Sequence, residues 1–232
     1  MTVVLLHAVG LDAGTWEGVD VRDAAALDLP GFGQEPALND LHLTKMADDV
    51  VRRAPRELLD VVGVSMGAQV AVQIGLRHPS RVRSLLLANS GPRADPAVMR
   101  ERARQVHDDF DGAIRVTLDR WFSEDALSAA APFVERARQC LLRTGPTRLA
   151  AGWMAIAEHN VTDHLVDLRM PVTVLAASGD RASPAAALSK MQGLIPGSRL
   201  AIIDGPHIAY MECPDRFSHA IADHLRWVAR QR

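Results

Sequence analysis

The sequence predicts an α/β fold: a mostly parallel sheet of about six strands with helices on both faces. Three observations predict it. Six short apolar runs each end in a turn signal. Most are continuously apolar rather than alternating, the pattern of strands buried on both faces. Helical patterns lie between several of them, giving the strand–helix–strand rhythm of a parallel sheet.

The apolar runs cover residues 3–7, 24–29, 58–64, 82–89, 172–177 and 200–204. Helical periodicity covers 43–54, with Thr44 as the expected N-cap, then 67–77 and 184–194, and an amphipathic helix over 216–230 closes the chain. The rhythm breaks between about residues 91 and 166, where helical patterns occur over 93–110, 112–122, 130–143 and 147–157. Gly112, Pro132 and the Gly145-Pro146 pair separate them. A helical block inside a parallel sheet predicts a core of residues 1–91 and 167–232 with a cap or lid at 92–166.

Composition narrows the function. The chain has 232 residues, 48% hydrophobic and 23% charged, which excludes a disordered chain, a collagen and a coiled coil. A net charge of −2 predicts no nucleic-acid or membrane-surface partner. Cys140 and Cys213 have no metal-like spacing and are expected to be reduced packing residues. The apolar start is too short for a signal peptide, and no run approaches a membrane span, so a cytoplasmic protein is expected.

The most informative segment runs from Leu59 to Ala71 and contains G-x-S-x-G at Gly63, Ser65 and Gly67. An apolar run precedes it and a helical run follows, the context a nucleophile on a strand-to-helix turn requires. Such a turn strains the backbone, and its neighbours two residues away must lack side chains. A serine needs a base. His207 follows the last apolar run, at the sheet edge where active sites of open α/β folds gather. His42, His78, His107, His159, His164, His219 and His224 read as residues of polar faces or helix ends, and His7 as a residue holding the loop after the first strand. Asp180, after the fifth run, is the expected acid, with Asp95 as the weaker alternative. The chain order Ser65, Asp180, His207 is that of hydrolases with a Ser…Asp…His triad. The backbone N–H groups of Met66 and Val9 are the expected oxyanion donors.

Together these segments resemble α/β-hydrolase-fold proteins of the 3-oxoadipate enol-lactonase-like group. The resemblance covers the whole chain. It includes residues 5–16, similar to the family's His-Gly-x-Gly loop and trailing Trp. It also includes Asp28-Leu29-Pro30-Gly31-Phe32-Gly33, the Gly63–Gly67 motif, and Gly205-Pro206-His207. The resemblance implies a two-step acyl transfer on a small ester or lactone. It implies a substrate pocket involving Trp153, with Trp121 and Phe32 as further lining candidates. Two departures stand out: Ala8 replaces the usual Gly of the oxyanion loop, and Gln34 stands where Ser is common. The family's antiparallel hairpin before the first strand is also missing here, which would expose a sheet edge for a partner subunit to cover. A monomer or a homo-oligomer fits the sequence.

Arg93, Arg100, Arg102, Arg104, Arg115 and Arg120 could steer an acidic substrate, or form a solvated face balanced by Asp108, Asp109 and Asp111. The sequence shows no metal cluster and no dinucleotide motif, so no cofactor is expected. On the same triad, a C–C bond hydrolase or a thioesterase is the alternative. A non-catalytic, ligand-binding use of the fold is the other.

Overall fold

The computed structural model describes residues 2–231. Six strands form one sheet: β1 (Thr2–Leu6), β2 (Ala24–Leu27), β3 (Leu59–Val64), β4 (Val82–Ala88), β5 (Val172–Ala177) and β6 (Arg199–Ile203). Their spatial order is β2-β1-β3-β4-β5-β6, and every neighbouring pair is parallel. Every residue of β3 and β5 is buried. That is why those runs are predominantly apolar without alternation. The outer strands β2 and β6 are only half-buried.

Around the sheet lie α1 (Leu43–Arg53), α2 (Met66–Arg77), α7 (Ala185–Gly193) and α9 (Pro214–Ala229), with the short α8 (Ala209–Glu212). Between β4 and β5 come four more: α3 (Pro96–Asp108), α4 (Phe110–Trp121), α5 (Glu124–Ser128) and α6 (Pro132–Ala157). Three of these have side-chain caps: Asp95 for α3, Asp109 for α4 and Ser123 for α5. The short α5 has no counterpart among the sequence expectations. Residues 130–143 and 147–157, expected as two helices, form the two arms of α6, broken where Gly145 takes φ 73° ahead of Pro146. The expected cap of α1 is corrected. His42 holds that position without a side-chain capping bond to the helix, and Thr44 lies inside the helix.

A parallel sheet brings all C-terminal strand ends to one edge. The loops that follow β1, β3, β4, β5 and β6 therefore meet there, close to α3, α4 and α6. No described helix is long and apolar enough to cross a membrane.

Candidate active site

Ser65 sits between β3 and α2 with φ 55° and ψ −119°, a conformation that costs a non-glycine residue on the order of 1–3 kcal/mol. The surroundings enforce it. The Ser65 N–H donates to the Ala88 carbonyl at the end of β4, 2.9 Å away. A Cβ on Gly63 would collide with the Gly67 carbonyl, and one on Gly67 would collide with the Leu6 carbonyl at the end of β1. Both glycines are thus required by close backbone approach. The turn also exposes the first N–H groups of α2 beside the hydroxyl, where negative charge is favoured.

Asp180 follows β5 and is buried. One of its carboxylate oxygens, Oδ1, accepts from the Ala182 and Ser183 N–H groups at 2.7 and 2.9 Å. The other, Oδ2, lies 2.8 Å from His207 Nδ1. An ionised carboxylate only accepts, so Nδ1 carries the proton and Nε2 is left as the basic nitrogen. Among the described residues, Nε2 has no hydrogen-bond partner. The His207 loop is pinned from several sides. Asn89 Nδ2 donates to the His207 carbonyl at 2.7 Å, while Asn89 Oδ1 accepts from Ala177 N–H at 2.9 Å. The Gly179 N–H donates to the Gly205 carbonyl at 2.9 Å, and the Ile208 N–H to the Trp121 carbonyl at 3.1 Å.

The loop after β1 is anchored by His7. The Leu29 N–H donates to His7 Nε2 at 2.9 Å, which puts the His7 proton on Nδ1, where it meets the Ala8 carbonyl at 2.8 Å. Burial lowers the pKa of His7 and keeps it neutral. Ala8 is buried and is not among the described residues with positive φ, so its methyl group costs this loop no left-handed strain; Gly10, at φ 74°, makes the turn. The Val9 and Met66 N–H groups have no acceptor among the described residues. Trp16 stacks on Tyr210 at 4.0 Å between ring centroids, and Tyr210 Oη lies 2.8 Å from Thr15 Oγ1. These contacts tie the β1 loop to the segment after His207.

Ser65 and His207 line one cavity of about 260 Å³. Trp121 and Trp153 line it too, with Ile156, Met99 and Val98 as further apolar walls. Phe32 does not line it. It is buried against His7, with ring centroids 5.8 Å apart, and lies beneath Gly152. Asp95, the weaker candidate acid, lies on the cavity wall, but its Oδ1 caps α3 through Ala97 and Val98.

Several features escaped the sequence. Asn89, at φ 53°, spans the acid and histidine loops, yet a lone Asn at a strand end gives little signal. Gln69 lines the cavity with an unpartnered Oε1. Arg93, Arg102 and Arg120 line the cavity, the first exposed and the other two half-buried, whereas Arg100, Arg104 and Arg115 do not line it. Two histidines read from the sequence as polar-face or helix-end residues are corrected. Both His159 and His224 are buried, and desolvation pushes each pKa down to about 4. Burial pushes the Cys140 thiol up to about 11, reinforced by neighbouring Asp12, so it has no thiolate character near neutral pH. No group of three or more His, Cys, Asp or Glu able to hold a metal occurs among the described residues.

Comparison with known proteins adds to this geometry. A family model described as the alpha/beta hydrolase fold matches residues 2–214. The chain is 26% identical over 239 residues to a pimeloyl-(acyl-carrier protein) methyl ester esterase of Vibrio vulnificus, covering 94% of this chain and 92% of that one. A protein of the same name from Yersinia enterocolitica is 27% identical over 246 residues, covering 95% and 92%. Among solved structures, the enol-lactonase of Burkholderia xenovorans superposes with a TM-score of 0.90 at 22% identity, covering 97% of this chain and 90% of that one. A thermophilic esterase of Thermogutta terrifontis gives 0.88 at 27% identity, covering 98% and 90%.

Proposed function

The chain belongs to the alpha/beta hydrolase fold family, and on that premise we propose that it is a serine hydrolase cleaving a small carboxylic ester or lactone through an acyl-enzyme. One observation carries the reading. His207 has its Nδ1 held by Asp180 and its Nε2 unspent, and it lines the same cavity as Ser65 on its strained turn.

In this mechanism His207 Nε2 takes the Ser65 proton as Oγ attacks the substrate carbonyl. The Val9 and Met66 N–H groups receive the developing oxyanion, and such donors act most strongly where they are already oriented. His207 then protonates the leaving oxygen. A water, deprotonated by the same Nε2, attacks the acyl-enzyme and releases the acid. Asp180 holds the imidazole tautomer and stabilises the imidazolium formed in each step. Residues 92–166 serve as the cap, and Trp121 and Trp153 from that segment wall the cavity.

An ester is the first substrate to test, because the curated relatives carry the name of methyl ester esterases. A lactone presents the same carbonyl chemistry closed into a ring, and enol-lactonase activity is the finer reading. The test is spectrophotometric hydrolysis of p-nitrophenyl acetate and of 3-oxoadipate enol-lactone by wild type and Ser65→Ala. The expected result is turnover of at least one substrate, with a loss of roughly 10⁴-fold or more in Ser65→Ala and unchanged thermal unfolding. Turnover that survives in Ser65→Ala contradicts the reading.

A further inference from the structure

Arg102 on α3 and Arg120 on α4 both line the cavity shared by Ser65 and His207, and both are half-buried. Three other half-buried arginines meet acids: Arg53 with Asp49, Arg83 with Asp60, Arg199 with Asp223, while Arg81 reaches the Pro55 carbonyl instead. Arg102 and Arg120 have no such carboxylate within 4.0 Å among the described residues. The Arg102 guanidinium lies 5.0 Å over the Trp153 ring, and its Nη1 is 3.8 Å from Met99 Sδ. Arg120 Nη2 reaches Thr117 Oγ1 at 3.4 Å. Each guanidinium has five N–H donors, so most remain unspent.

Holding the two guanidiniums there is costly. Desolvation pulls the Arg120 pKa down to about 10, and the Arg102 charge adds to the same effect, against the weaker opposing pull of Asp119. Desolvation lowers the pKa of Arg102 too. Asp95, the one acidic side chain on the cavity wall, has its Oδ1 engaged by the N-terminus of α3. Two like charges in one partly desolvated cavity, neither with a carboxylate within 4.0 Å among the described residues, form a site suited to an anion. A planar carboxylate matches the guanidinium fork.

We propose that Arg102 and Arg120 together bind a carboxylate of the substrate, so that the ester reacting at Ser65 carries a second acid group, as in the half-ester of a short dicarboxylic acid. The proposal rests on the serine hydrolase reading and deepens it. Trp153 and Trp121 pack the carbon chain between the two ends. The scissile carbonyl lies at Ser65, and the distal carboxylate beneath α3 and α4.

The experiment compares monomethyl glutarate with dimethyl glutarate for wild type, Arg102→Gln, Arg120→Gln and the double variant. Wild type is expected to favour the half-ester in kcat/KM, and the double variant to lower the half-ester to diester ratio by roughly tenfold or more, mainly through KM. Glutarate binding to Ser65→Ala, measured by calorimetry, is expected to weaken by a similar factor when the arginines are replaced. Thermal unfolding is expected to stay level or rise in the arginine variants, since each removes the repulsion between the two charges. An unchanged ratio in the double variant overturns the proposal. So does inorganic phosphate displacing glutarate as well as glutarate itself does, or a fall in melting temperature that accompanies equal loss of both substrates. Ser65-dependent turnover without charge preference would leave the hydrolase standing and remove the carboxylate site. Arginine-dependent glutarate binding without any ester turnover would keep the site and remove the hydrolase.

Discussion

The protein contains two sets of Ser, His and Asp at opposite ends of one sheet. Ser65, His207 and Asp180 gather beyond the C-terminal strand ends. Ser84, His224 and Asp60 lie within the N-terminal halves of β3 and β4 and on the face of α9 that covers them. Residue types alone do not distinguish the sets, but the direction of their protons does. In the lower set Ser84 Oγ donates to Asp60, which is also paired with Arg83. Ser84 Oγ must then accept from His224 Nε2–H, 3.0 Å away. Arg199 Nε donates to Thr173 Oγ1 at 2.9 Å, and the Thr173 hydroxyl donates to His224 Nδ1 at 2.8 Å. Every group is spent, and the histidine gives its proton towards the serine. In the upper set the carboxylate holds the histidine, the histidine keeps a free nitrogen, and a cavity lies open beside the serine. A closed polar network holds strands and helix together. Leaving one nitrogen unpaired beside a cavity gives the same residue types the arrangement that the proposed chemistry needs.

The largest way to break this comparison, after Ser65→Ala, is Asp180→Asn. The amide cannot hold the imidazole in the same tautomer, so kcat should fall by roughly 10³–10⁴-fold with the fold unchanged. A modest loss in steady-state assays would mean Asp180 is a turn residue only. Next is Asn89→Ala, which frees the His207 carbonyl and the Ala177 N–H together. Misplacing the proposed base in this way should cost roughly 10–100-fold in kcat. A KM effect with normal kcat would locate Asn89 in substrate binding instead.

The lower set predicts stability effects rather than rate effects. His224 has a folded pKa of about 4, depressed by burial, with the Arg199 and Arg83 charges acting in the same direction and those of Asp60 and Asp223 opposing. A histidine whose folded pKa lies below its unfolded value contributes fully above about pH 6.5 and loses that contribution as pH falls towards 4. The loss is on the order of 3 kcal/mol, and His159 adds to it with the same sign. Urea unfolding at pH 7.5 and pH 4.5 should show this slope, and His224→Gln should flatten it. A slope unaltered in His224→Gln would assign the acid sensitivity elsewhere. The smallest effect belongs to Ser84→Ala, which leaves His224 Nε2–H without its acceptor. It should cost about 1–3 kcal/mol of stability and leave turnover per folded molecule unchanged.

Much of the fold was legible because parallel strands leave predominantly apolar runs, and all six were read to within two residues at each end. The turn at Ser65 was legible because close backbone approach demands glycine at 63 and 67, and glycine is visible in a sequence. His207 and Asp180 followed from their positions after strands. Other features depend on packing that no local pattern encodes. Six arginines crowd the sequence between residues 93 and 120, and only the way α3, α4 and α6 meet brings Arg102 and Arg120, half-buried, to the cavity wall beside the exposed Arg93. Phe32 follows the same lesson, since a large apolar residue near the site packs equally well against His7 and Gly152. His224 reads as a helix-surface residue until Ser84 and Thr173 are brought against it from strands 140 and 51 residues away in sequence.

The contrast between the two serines is open to one direct measurement: treatment of the folded protein with a fluorophosphonate, followed by peptide mapping by mass spectrometry. The account predicts one phosphonylated residue, Ser65, with labelling abolished in Ser65→Ala, strongly slowed in Asp180→Asn and unaffected in Ser84→Ala. An unlabelled folded protein, or a label that persists in Ser65→Ala, would contradict it.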